Sequence, residues 1–148
     1  MKLLHDTTVR DDFVARIQRL TPDATPRWGK MSVDQMLWHC NRMLANTTGE
    51  FQPPDMDIPI PRWLAKWIVM VMPFPKGRFQ TQPAYLATGH YAFEEERAKC
   101  LRLIREISAR DIDSESWGRS APFGDMTGRE WSRLNAKHLE HHLRQFGV

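Results

Sequence analysis

Apolar residues recur at helical spacing in five stretches of this chain, and proline- and glycine-rich breaks separate them. Val9, Phe13, Ile17 and Leu20 share one face of a helix expected over about Val9–Leu20, which Pro22 and Pro26 end. Ser32-Val33-Asp34-Gln35 forms a capping box, with Met31 and Met36 at the staple positions around it. A helix is therefore expected from there to about Asn46, with Met36, His39, Cys40 and Met43 on its inward side. Pro61 suits the first turn of a short helix, about Arg62–Met72, whose apolar residues run nearly all round. Such a helix is either buried or covers a cavity mouth. Pro73, Pro75 and Gly77 stop it, and a loop is expected to about Gly89. A fourth helix is expected over about Phe93–Arg110, where Glu94, Glu95 and Glu96 precede a run of arginines and lysine in the order that complements the helix dipole. Thr127-Gly128-Arg129-Glu130 is a second capping box, stapled by Met126 and Trp131, and opens a helix from Gly128 to about Gln145.

No stretch alternates with the two-residue period of a strand. The expected fold is therefore all-α: a four-helix bundle with one extra short helix, in a single domain over residues 1–148. The length suits one domain with a real core. Six tryptophans, 41% hydrophobic residues and 26% charged residues exclude disorder. Two cysteines outside any Cys-x-x-Cys pair exclude a disulfide framework and point to a reducing compartment.

The net charge of +3 comes with no basic stripe interleaved with aromatics, so no nucleic-acid partner is expected. The quickly polar N-terminus is no signal peptide, and the apolar run Trp67–Phe74 is too short to span a bilayer. A cytoplasmic protein with no membrane partner is the expectation.

Six histidines are the anomaly in this composition, and three of them fall between His138 and His142. His138 and His142, four residues apart, stack on one helix face with Cβ atoms ~5–6 Å apart, close enough to share a metal ion. Trp131 and Asn135 project in nearly the same direction, whereas His141 is rotated by about 100° and flanks the pair. His39, inward on a facing helix, is the natural third ligand. Three imidazoles would leave an open position for water or substrate. The alternative is a hydrogen-bonded core histidine and a chance His-x-x-x-His pair. Cys40 points about 100° from His39 and belongs to the core. His5 and His90 have no assigned role, and neither Asp34 nor Glu140 lies on an inward face as a general base.

The segments Trp28-Gly29-Lys30-Met31-Ser32-Val33-Asp34-Gln35-Met36-Leu37-Trp38-His39-Cys40 and Lys137-His138-Leu139-Glu140-His141-His142-Leu143-Arg144-Gln145-Phe146-Gly147 resemble the DinB superfamily, within it a branch known only as a domain of unknown function. Arg16 to Pro22, Pro75-Lys76-Gly77 and Phe123-Gly124 extend the resemblance over nearly the whole chain. It implies a bundle of DinB/YfiT-like topology in which His39, His138 and His142 bind a divalent metal, zinc or nickel. It also implies thiol-dependent transferase or isomerase relatives that use a low-molecular-weight thiol, and frequent homodimers. Where that branch carries a His-Pro pair before Phe-Gly, this chain has Ser120-Ala121-Pro122.

The leading expectation is a metal-dependent enzyme, a thiol-dependent transferase or a hydrolase acting on a small molecule. Gln35, Met43, Trp131 and Asn135 stand within about a turn of the ligands and are read as pocket or supporting residues, with His141 beside them. Trp63, Trp67 and Phe74 are either an apolar lid or ordinary core, and aromatics near Trp63 would suit a homodimer face. The alternatives are a non-catalytic metal- or small-molecule-binding bundle of stress-response type, or a purely structural bundle.

Overall fold

The computed structural model describes residues 1–76, 82–114 and 116–148. Among the described residues five α-helices follow one another: α1 (Thr7–Arg19), α2 (Val33–Thr48), α3 (Arg62–Val71), α4 (Phe93–Ala109) and α5 (Gly128–Gln145). A single 3-10 turn, Pro83–Tyr85, interrupts the connection between α3 and α4. Among the described residues the only extended pairing is an isolated bridge between Ser120 and Gly124. The fold is all-helical, as the periodicity requires. No helix of the described residues is long and apolar enough to cross a membrane. Gly77, expected to help stop α3, lies outside the described residues.

The four long helices form a ring in which α1 and α2 each pack against both α4 and α5. Their inward stripes meet in one core, with Phe13 and Ile17 from α1, Met36, Leu37 and Leu44 from α2, Leu103, Ile104 and Ile107 from α4, and Leu139 and Leu143 from α5. Cys40 and Cys100 are buried free thiols in that core. A second cluster of Met70, Met126, Trp131 and Leu134, with Met43 and Phe74 packed on it, ties α3 to the start of α5. Both members of the α5 staple, Met126 and Trp131, are thus in place.

Local chemistry sets where the site-bearing helices begin. The Ser32 amide donates to Gln35 Oε1 at 3.1 Å at the start of α2. At the start of α5 the Glu130 amide donates to Thr127 Oγ1 (3.2 Å), and the Thr127 amide donates back to Glu130 Oε2 (2.9 Å). These caps satisfy amides that the first helical turn leaves without intrahelical acceptors, and so fix the register of every later residue.

One expectation fails. α3 is neither buried nor a cavity cover: Met70 is its one buried residue, while Trp63 and Trp67 are exposed. The two tryptophans are therefore neither core nor lid. The physical reason is that α3 docks through its Arg62, Lys66 and Met70 side, which turns the tryptophan side outward. Phe74, just beyond the helix, is the member of that trio that reaches the histidines.

Candidate metal centre

His39 from the middle of α2 faces His138 and His142 from α5. One ring nitrogen from each lies within 4.8 Å of the others. The ring centroids are 4.8 Å (His39–His138), 4.9 Å (His39–His142) and 4.5 Å (His138–His142) apart. Each imidazole is 7% exposed, so the cluster is enclosed without being sealed. A three-histidine group of this geometry, buried and compact, could hold a metal ion.

Hydrogen bonds behind the rings fix which nitrogen each presents. His39 Nδ1 lies 2.8 Å from the backbone carbonyl of Tyr85. A carbonyl only accepts, so Nδ1 carries the proton and Nε2 is left with its lone pair facing the cluster. His142 is oriented by a relay. Gln145 Nε2 donates to the Trp28 carbonyl at 2.8 Å, which puts Gln145 Oε1 against His142 Nδ1 at 2.8 Å. That ring too donates from Nδ1 and presents a bare Nε2. His39 Nε2 and His138 Nε2 are 2.9 Å apart, so with His39 accepting, the His138 Nε2–H donates across the gap.

The donor set fits a borderline divalent ion. At Zn–N distances of ~2.0–2.1 Å, tetrahedral nitrogens stand about 3.3 Å apart, a few tenths of an ångström wider than the His39–His138 contact. Metal-ligating histidines characteristically donate their other N–H to a carbonyl or carboxylate, and His39 and His142 already do so.

Burial holds the imidazoles neutral, the state that coordinates. Desolvation lowers the pKa of His39, lowers that of His138 well below the usual value with help from its His142, His39 and His141 neighbours, and takes His142 to about 3. The unfolded chain, with histidines near 6.5, therefore binds more protons than the folded one at acid pH. Without metal, stability is full above pH ~6.5 and falls as pH drops toward about 3, by ~1.4 kcal/mol per pH unit for His142 alone. Urea midpoints of metal-free protein at pH 7.5 and 5.5 check this, since carboxylates titrate mostly below that window. An unchanged midpoint would contradict it.

His141 stands beside the cluster, half-buried, its ring 5.0 Å from His142 and 5.7 Å from both Trp28 and Phe74. Lys76 Nζ lies 4.7 Å over the Trp28 ring. Trp28, Phe74 and His141 thus pack together beside the cluster. A hollow lined by Ile112, Trp117, Met126 and Arg129 opens elsewhere and includes none of the histidines.

The other expected site residues are occupied in holding the frame. Gln35 caps α2 through Oε1 and donates from Nε2 to the Gly89 carbonyl at 2.9 Å. Trp131 Nε1 donates to the Gly118 carbonyl at 2.7 Å. Asn135 Nδ2 donates to Thr47 Oγ1 at 2.9 Å, and Met43 packs in the second cluster. Asp34 accepts from the Tyr91 amide, and Glu140 is paired with Arg16 at 2.9 Å. His5 lies 2.9 Å from Ser132 Oγ, away from the cluster, and His90 is exposed.

The model of the DinB superfamily matches residues 5–146, nearly the whole chain and all three histidines. The chain belongs to the DinB superfamily. No curated protein and no solved structure matches it. Two groups that orient the rings of the candidate site, Gln145 and the Tyr85 carbonyl, escaped the sequence reading. Gln145 is three residues past His142, the spacing of helical neighbours, so its role had a sequence signal. The Tyr85 carbonyl had none, because a backbone acceptor carries no residue signature.

Proposed function

We propose that this chain is a metal-dependent enzyme whose divalent ion, zinc or nickel, is held by His39, His138 and His142. One coordination position is left for water, a low-molecular-weight thiol or a small substrate. The observation that carries the reading is the outward anchoring of both Nδ1–H groups, on Tyr85 and on Gln145, which aims two bare Nε2 atoms at one point. A core histidine needs one hydrogen-bond partner; it does not need its free nitrogen trained on two other imidazoles.

When bound, such an ion supplies Lewis acidity and lowers the pKa of a coordinated water or thiol. The chain's own part is orientation and exclusion. For His138 to present Nε2 as a neutral ligand, the proton it donates to His39 would have to move to its own Nδ1, with no net proton released. Three neutral imidazoles bring no negative charge, and Asp34 and Glu140 are engaged elsewhere. The incoming ligand must neutralise the ion, which favours an anion such as a thiolate, hydroxide or carboxylate. Trp28 and Phe74 beside His141 restrict that approach to small molecules.

The test is elemental analysis of tag-free protein, with about one zinc or nickel per chain expected; no metal uptake at saturating concentration and neutral pH would sink the reading. Turnover is then sought with electrophiles and several thiols, and with hydrolysable esters. A second reading, a non-catalytic binder, is favoured by the lack of a free carboxylate at the site among the described residues. It would stand if metal binds and no substrate turns over. Replacing Gln145 with leucine removes the acceptor behind His142 and is expected to weaken metal affinity by roughly 10–100-fold, the usual cost of such a supporting group. A competition titration with a chromophoric chelator measures it, and an unchanged affinity would count against the relay.

A further inference from the structure

The turn that carries the Tyr85 carbonyl is laid along one face of α2. His39, Arg42 and Asn46 stand at i, i+3 and i+7 of that helix, the spacing of a single stripe. Each of the three holds the turn at a different atom. His39 Nδ1 donates to the Tyr85 carbonyl at 2.8 Å, Arg42 Nε donates to the Ala84 carbonyl at 3.4 Å, and Asn46 Oδ1 accepts from the Tyr85 hydroxyl at 3.0 Å. The helix that supplies a candidate metal ligand therefore also holds the acceptor behind that ligand.

The grip at Asn46 works in one sense only. Its side chain is fully buried, and its Nδ2 donates to the carbonyls of Phe51 (3.2 Å) and Arg119 (3.0 Å). Carbonyls accept and never donate, so the amide cannot be turned round, and Oδ1 is left to receive the Tyr85 hydroxyl. Arg42 is held in its turn. Its guanidinium carbon lies 3.7 Å from the centroid of the Phe51 ring and 5.0 Å from that of Trp38, and Phe51 meets the Tyr85 ring edge-on at 5.9 Å. The turn itself is short, Pro83–Tyr85, and is closed by the Tyr85 amide on the Gln82 carbonyl and the Leu86 amide on the Pro83 carbonyl. That closure sets the shape of the turn. Where the turn sits against His39 is set by Arg42 and Asn46.

A buried phenylalanine would fill the place of the Tyr85 ring without needing a polar partner. The hydroxyl instead engages a buried amide and pins the tip of the side chain, while Arg42 pins the peptide before it. We propose that Arg42, Asn46 and Tyr85 are positioning residues for the metal centre: by fixing the place of the Tyr85 carbonyl they keep the proton of His39 on Nδ1 and its Nε2 bare. Their purpose rests on the three-histidine metal reading; the tautomer itself is readable without metal.

The test is Tyr85→Phe in the tag-free full chain, read in two ways. Nitrogen-15 spectra of the imidazoles in metal-free protein at neutral pH report which ring nitrogen of His39 carries the proton. Wild type is expected to show a single Nδ1–H form, and Tyr85→Phe a mixture of both tautomers. Zinc competition with a chromophoric chelator should show affinity lower by about 10-fold, the smaller end of what a lost supporting group costs. Arg42→Met, at a part-buried position where the aliphatic stem is kept, should move both readings the same way, and it serves if Tyr85→Phe fails to fold. Ile107→Val, a trim of the core on α4, is the control: its unfolding midpoint should fall while tautomer and affinity stay at wild-type values. Wild-type His39 protonated on Nε2 overturns the proposal, as does a single Nδ1–H form retained in both variants. An equal affinity loss in Ile107→Val overturns it too, because lost stability would then explain the effect. Wild type that takes up no zinc sinks the metal reading, while a tautomer shift in Tyr85→Phe still upholds the positioning of His39, so the two fail separately.

Discussion

His142→Ala is expected to lose its metal. Removing one of three imidazoles leaves two nitrogens, His39 and His138, too few to hold a divalent ion against water. It also leaves Gln145 Oε1 without its donor. The affinity loss should exceed the ~10–100-fold that a missing supporting group costs, so it should be at least about 100-fold. After dialysis the metal content should drop from about one per chain to background. His141→Ala is the matched control, since its ring lies next to His142 but outside the three-nitrogen cluster; it should keep the metal. If His142→Ala retains a full complement, or if both variants lose it equally, the assignment of ligands is wrong.

Gly118→Ala should be the most damaging single methyl group in this part of the frame. A Cβ at that position would lie 1.8 Å from the Asn46 carbonyl oxygen, a backbone atom inside α2 that has no room to yield. The same glycine donates its amide to the Thr47 carbonyl at 3.1 Å and accepts the Trp131 indole at 2.7 Å. The substitution therefore separates α2 from the loop that precedes α5. Overpacking of this severity should cost about 3 kcal/mol or more. For a chain near 150 residues that is roughly a 10 °C fall in melting temperature. Gly49→Ala is the comparison: its φ of 86° penalises a side chain, but nothing lies within 4 Å, so ~1–2 kcal/mol of backbone strain is expected. Calorimetry that found the two variants equally destabilised would refute the steric account.

Residues with strong local rules were the legible ones. Ser32 with Gln35 and Thr127 with Glu130 announce the starts of α2 and α5, and those starts set the phase of His39, His138 and His142. The four-residue step between the two α5 histidines did the rest, because helix geometry alone puts them on one face. The orientation of α3 was not legible. Its sequence offers two ridges, Arg62–Lys66–Met70 and Trp63–Trp67–Val71, and periodicity is blind to which one packs. Intuition assigns the tryptophans to the interior. The decision falls to partners far along the chain, Glu130 and the carbonyls of Asp125 and Ala121. Gln35 and Trp131 illustrate a further ambiguity: residues one turn from a site face it in projection, yet their polar atoms are spent on a cap and on a loop carbonyl.

The tautomers of His39 and His142 are both dictated by peptide carbonyls, at Tyr85 directly and at Trp28 through Gln145. A peptide carbonyl survives any amino-acid replacement at its position. Chains descended from this one could therefore change residue 28, beside His141, while the imidazoles kept the same protonation pattern, whereas Tyr85 is also held by its buried ring and its bond to Asn46. Selectivity would drift independently of ligation, and variation tolerated at the rim would say little about whether the centre still functions.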